Sequence, residues 1–167
     1  MNVIGIVGWK NSGKTTLAAA LICELSRRGL TVNSIKHAHH GVDVDQPGTD
    51  SFKHRDAGAR EVILAGGRRF AIMHELRGAE EPTLDELLAR LGPCDWVVVE
   101  GFKTHPHPKI EVHRQESARA PLYPEDDSII ALVADYVVDY AADFPGPVFD
   151  VNNVPAIADF ILSPGTS

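Results

Sequence analysis

Cysteine is scarce. Only Cys23 and Cys94 occur, in no CxxC or zinc-type spacing, which excludes a disulfide-dense scaffold and a thiolate zinc centre. Both read as reduced thiols. Basic charge is also in deficit: 16 Lys plus Arg against 23 Asp plus Glu leave a formal charge of −7. A chain of that sign has no general attraction for nucleic acid or for an anionic membrane, although a local basic groove is compatible with it. Long apolar runs are missing as well. None approaches the roughly 18 residues of a membrane helix. Val3–Val7 is too short for a secretory core, so a cytoplasmic location is expected. There is no internal repeat, no low-complexity tract and no G-x-S-x-G nucleophile elbow.

What is present is an ordinary globular composition, 44% hydrophobic and 23% charged, in 167 residues that are expected to form one domain over 1–167. Val3-Ile4-Gly5-Ile6-Val7 is an apolar run closed by Gly8, the pattern of a strand buried on both faces. Lys14 to Arg28 reads as a helix. Leu17, Leu21 and Leu25 recur at i, i+4 and i+8, Arg27 and Arg28 fill the last turn, and Gly29 stops it. Thr31–Lys36 supplies a second strand, and strand, helix, strand in about 35 residues is a βαβ unit with a right-handed crossover. Cys23 falls mid-helix in this pattern, and Cys94 has no histidine near it in sequence, so neither is a candidate nucleophile.

Further strands are expected at Trp96–Val99, Lys109–His113 and Ile129–Ala134, and a hairpin at Glu61–Ala65 and Arg69–His74 around Gly66-Gly67. Helices are expected at Ser51–Ala59, from the capping box Thr83-Leu84-Asp85-Glu86 to Leu91, and from Asn153-Val154-Pro155 to Leu162. Ser117–Asp127, with two prolines and no period, reads as a loop. The fold class is therefore α/β, three layers with a mostly parallel sheet flanked by helices, plus a β-hairpin; the segment Gly8 to Thr15, which fits G-x-x-x-x-G-K-[ST], makes it that of a P-loop NTPase.

Gly8-Trp9-Lys10-Asn11-Ser12-Gly13-Lys14-Thr15 fits G-x-x-x-x-G-K-[ST] without a mismatch, between a buried strand and a helix. Gly8 and Gly13 permit the tight turn that points successive N–H groups of Lys10, Asn11 and Ser12 inward at phosphate. Lys14 carries a point charge to the β and γ phosphates. Thr15 offers a hydroxyl to Mg²⁺, and Thr16 continues the helix whose positive dipole end faces the anion. Glu100 ends an apolar strand, where an NTPase usually carries the acid that serves Mg²⁺, and Gly101 beside it lets backbone approach the γ-phosphate. Thr15, Glu100 and Asp45 are the candidate metal ligands. Asp135, ending Ile129–Ala134, is a positional candidate for the base.

The second strand runs into His37-Ala38-His39-His40, with Asp43, Asp45 and Asp50 behind it. A polar loop beside the phosphates is favoured over a transition-metal site, because no second ligand cluster with zinc spacing exists. Two rival functions stay open on these residues. One is a small-molecule kinase with Asp43 or Asp45 as base, the other a metallochaperone GTPase using the histidines. No glutamine lies near either motif and no arginine is placed in sequence to act as a finger in cis, so hydrolysis is expected to be slow.

At Gly8–Thr16, at Lys36-His37-Ala38-His39-His40, at Asp43 to Ser51 (D-V-D-Q-P-G-T-D-S) and at Val99-Glu100-Gly101-Phe102-Lys103, the chain resembles MobB, a family of molybdopterin-guanine dinucleotide biosynthesis adaptor proteins. These motifs punctuate the first 110 residues or so; beyond them the likeness is only of size and of the Ile129–Asp135 strand. The resemblance implies a GTP- and Mg²⁺-binding homodimer with weak GTPase activity. It also implies association with the guanylyltransferase that joins GMP to the molybdenum cofactor, and contact with molybdopterin. Carried over by position, Gly8, Gly13, Lys14, Thr15 and Thr16 hold phosphates and Mg²⁺. Glu100 and Gly101 form the Walker B end, and the loop with His37, His39, His40, Asp43 and Asp50 resembles a switch or partner surface. Guanine preference rests on the family alone, since no N-K-x-D or T-K-x-D occurs.

Overall fold

The structure is a computed structural model that describes residues 1–38, 45–115, 119–136 and 143–164. Chain contacts divide it into two compact units, Met1–His37 with Leu87–Ser167, and Ala38–Glu86.

The larger unit is built on six strands in the order β2-β5-β1-β6-β7-β8, every neighbouring pair parallel. They are β1 (Asn2–Val7), β2 (Val32–Lys36), β5 (Trp96–Glu100), β6 (Lys109–His113), β7 (Ile129–Ala134) and β8 (Val148–Asp150). Helices α1 (Lys14–Arg27) and α4 (Val154–Leu162) lie together on one face. The i, i+4, i+8 leucines of α1 meet Ile157, Ala158 and Ile161 of α4 over Ile4, Ile6, Trp96, Val98, Ile110, Val112, Ala131 and Val133. Each fully buried Leu or Ile there stabilises the fold by about 1.5–3 kcal/mol. On the opposite face Val7, Ile129, Leu132 and Phe144 form a smaller cluster under Leu122 and Tyr123, the latter opening a short 3₁₀ turn (Tyr123–Glu125).

Arg28 caps α1 rather than continuing it, and Asn153 Oδ1 accepts from Ala156 N at the start of α4. Strand β8 was not expected: three residues behind Phe144-Pro145-Gly146-Pro147 are too few to show a period, yet they pair Leu132 to Ala134 on β7.

The smaller unit holds α2 (Asp50–Asp56) and the antiparallel pair β3 (Glu61–Ala65) and β4 (Phe70–His74). The expected hairpin is thus formed, with Gly66 N donating to Arg69 O across its turn. Thr49 caps α2 by accepting from Phe52 N, and Gly58 at φ 114° takes the left-handed turn after it. The capping box opens α3 (Leu84–Leu88) as expected: Glu86 N donates to Thr83 Oγ1 and Thr83 N to Glu86 Oε2. Regular helix stops at Leu88, short of Leu91, because Arg90 N and Leu91 N bond three residues back, winding the last turn tight before Gly92-Pro93.

Candidate nucleotide site

Three parallel strands end at one edge. β1 delivers the phosphate loop, β5 delivers Glu100 in register with both Ile6 and Lys36, and β2 delivers Lys36 and His37. The loop needs its glycines. Gly8 sits at φ 143°, and a Cβ there would stand 2.6 Å from Val112 O and 2.7 Å from Ser12 Oγ. Gly13 is left-handed at φ 93° as it caps α1. Asn11, at φ 66°, is a residue type that tolerates the left-handed region. Ser12 Oγ is buried beneath the turn and has no hydrogen-bond partner among the described residues. The curled loop brings Lys14 Nζ 2.6 Å from the carbonyl oxygen of Trp9, folding the ammonium back over the cradle. Burial, then the nearby charges of Lys103 and Lys36, hold Lys14 below its ordinary pKa, with Glu100 opposing them. In a chain of net charge −7, this is a locally cationic spot.

Thr15 Oγ1 donates to Glu100 Oε1 at 2.7 Å. Lys36 Nζ lies 3.2 Å from the same hydroxyl and 3.3 Å from Glu100 Oε2. The hydroxyl proton goes to the carboxylate while a lone pair meets a cation, and this donor set suits a hard divalent ion such as Mg²⁺. Gly101 at φ 101° passes close to His37, whose Cβ would be 2.9 Å from a Cβ at Gly101. His37 in turn stacks on Phe102, ring centroids 4.6 Å apart.

A second tier of groups surrounds the loop. Trp9 is clasped between Lys103 Nζ at 4.5 Å and the Arg119 guanidinium at 5.1 Å, and its Nε1 donates to Ala120 O at 2.8 Å. Arg114, just past β6, lies against Gly13, where a Cβ would be 3.0 Å from its Nε. Asp135 holds it there, accepting from Arg114 Nη1 at 3.2 Å and from Gln115 N at 3.1 Å. Burial favours the neutral acid at Asp135, but these two donors keep its pKa below the ordinary value. Glu111, fully buried on β6, accepts from Leu122 N and Tyr123 N and so pins the segment that follows Ala120.

A strand-ended phosphate loop facing a carboxylate is a general NTPase feature, and comparison with known proteins narrows it. A family model described as molybdopterin guanine dinucleotide synthesis protein B, MobB, matches residues 3–135. The chain belongs to the MobB family. It is 44% identical over 161 residues to the molybdopterin-guanine dinucleotide biosynthesis adapter protein of Haemophilus influenzae, spanning 95% of this chain and 86% of that one. It is 37% identical to the adapter protein of that name from Escherichia coli over 167 residues, 96% and 91% of the two chains. A crystal structure of molybdopterin-guanine biosynthesis protein B superposes with a TM-score of 0.73 at 29% identity, covering 96% of this chain and 97% of the other. The expected fold class, a mostly parallel α/β sheet flanked by helices with a separate hairpin, is the MobB fold found here.

Within that MobB fold, Gly8, Lys10, Asn11, Ser12, Gly13, Lys14, Thr15 and Thr16 form one loop and helix start, with Glu100, Gly101 and His37 beside them. His39, His40 and Asp43 lie outside the described residues. Asp45, expected at the metal, has its carboxylate engaged within the smaller unit. It accepts from Thr49 Oγ1 at 2.5 Å, Ser51 Oγ at 3.0 Å and Arg55 Nε at 3.2 Å, which fastens the start of α2. Those partners, Thr49 first, hold its pKa below the ordinary value. Asp50 is exposed and accepts from Lys53 Nζ. Beyond the residues singled out in the sequence, the structure lays Arg114 against Gly13, with its guanidinium engaged by Asp135. No local spacing announces it, because a strand-end residue on β6 reaches Gly13 only once β6 is laid beside β1. Lys36 stands in the K-H-x-H-H motif, where no local pattern marks it for the phosphate loop.

Proposed function

We propose that this chain binds GTP with Mg²⁺ at the phosphate loop and hydrolyses it slowly. In this reading it acts as a homodimeric cytoplasmic adaptor for the guanylyltransferase of molybdenum-cofactor maturation, with molybdopterin as a further ligand. The relatives named as molybdopterin-guanine dinucleotide biosynthesis adapter proteins support the pathway. The observation that carries the nucleotide part is the bond from Thr15 to Glu100 beside the curled loop, since it joins the two motifs that serve one ion. Thr15 and Glu100 would hold Mg²⁺, Lys14 and the loop N–H groups would hold the phosphates, and the ion would supply charge neutralisation along the phosphate chain. Asp45, whose partners Thr49, Ser51 and Arg55 all belong to the smaller unit, is assigned to fastening the start of α2 rather than to the ion. Slow turnover is supported by Arg114, whose charge is tied to Asp135.

Calorimetric titration with GTP, GDP and ATP in Mg²⁺ tests the reading. GTP should bind more tightly than ATP. Lys14→Ala should weaken GTP by about 10- to 100-fold, the worth of a charge-assisted contact, with the circular dichroism spectrum unchanged. Equal GTP affinity in wild type and variant would remove the phosphate-loop assignment.

A further inference from the structure

Lys36 closes β2, an edge strand of the main sheet, in register with Glu100. Its ammonium reaches both Thr15 Oγ1 and Glu100 Oε2, while Thr15 gives its own proton to Glu100 Oε1. A hydroxyl lone pair and a carboxylate oxygen are thus turned toward one positive charge that the chain itself supplies. A divalent ion held by Thr15 and Glu100 would draw on these same oxygen atoms. It would stand close to the ammonium, and the two positive charges repel each other around a carboxylate only 12% exposed. The lysine side chain, 57% exposed on a flexible stem, is the partner able to leave.

We propose that Lys36 is a tethered counter-cation of the nucleotide site. It keeps Thr15 and Glu100 together, stands in for part of the charge of Mg²⁺ when nucleotide binds without metal, and is displaced when the ion arrives. This rests on the GTP·Mg²⁺ reading above. Displacement makes Lys36 and Mg²⁺ competitors, so the benefit that nucleotide binding draws from Mg²⁺ is blunted by the lysine.

The test is the ratio of GTP affinity in excess Mg²⁺ to GTP affinity in EDTA, measured by calorimetry on the full chain. Lys36→Met should raise that ratio about two- to fivefold over wild type, the worth of one partly exposed charge contact, chiefly by weakening binding in EDTA. Lys36→Gln, a second neutral side chain suited to an exposed edge-strand position, should raise it likewise, and far-UV circular dichroism checks that both variants are folded. A wild-type ratio in both neutral variants overturns the proposal while leaving the nucleotide reading in place. A wild-type chain that binds GTP in neither buffer overturns both together.

Discussion

Thr15 and Glu100 stand 85 positions apart in sequence and share one proton. Each was legible from its own motif, because a P-loop threonine and an acid at a strand end are local patterns with a fixed chemical use. Their pairing is a tertiary fact, and it makes a prediction at this scale. Thr15→Ala and Glu100→Gln should each reduce the Mg²⁺ dependence of GTP binding. In a double-mutant cycle the two losses should fall short of additive by about 0.5–3 kcal/mol, as expected for residues that act on one ion. Full additivity, read by calorimetry across a Mg²⁺ series, would place Glu100 away from the metal. Arg114 and Asp135 illustrate the limit of local reading. Asp135 follows directly on β7, its carboxylate is taken by Arg114 and Gln115 N, and only the order of strands reveals that pairing.

Elements were legible where they are long or wholly apolar. β1, β5 and β7 announce themselves as apolar runs, because burial on a parallel sheet demands that pattern, whereas β6 (K-I-E-V-H) shows only alternation and α1 its leucine period. β8 and the end of α3 escaped because three residues carry no period and because a tightened last turn has no signature of its own. The segment from Gly101 to Pro108 shows how an element's packing adds what its sequence hides. His107 is buried against β1 at Gly5, where a Cβ would stand 2.3 Å from its Nε2, so glycine is required at that register. Burial, then the Lys109 charge, pushes His107 down to about 4. The unfolded chain takes up a proton near pH 6.5 that the folded chain refuses until about pH 4. Stability is therefore whole above pH 6.5 and falls through that window as the pH drops toward 4. Urea unfolding between pH 7.5 and 5 should show a shallower loss in His107→Gln than in wild type, whatever the variant's absolute stability. Parallel pH profiles would mean that His107 takes up its proton equally in both states.

At the scale of the whole molecule, the acidic chain sets Lys14, Lys36, Lys103 and Arg114 around the phosphate loop, and its hairpin exposes large apolar side chains. Ile63 and Ile72 are cross-strand partners, and Phe70 shares their face two positions away, so three large side chains present one apolar surface. Phe70 is 69% and Ile63 62% exposed. Two antiparallel strands with so little buried between them are marginal by themselves, and a contiguous apolar face of this kind is a common site of self-association. A second copy of the chain is the proposed cover, and two-fold closed dimers are the commonest way for one surface to satisfy itself. Sedimentation at micromolar concentration should give a dimer mass for the wild type. Phe70→Ser combined with Ile72→Glu should move it toward the monomer, with GTP affinity at the phosphate loop retained. A dimer that survives both substitutions would shift the interface away from this face, and a monomeric wild type would leave the hairpin without its proposed partner.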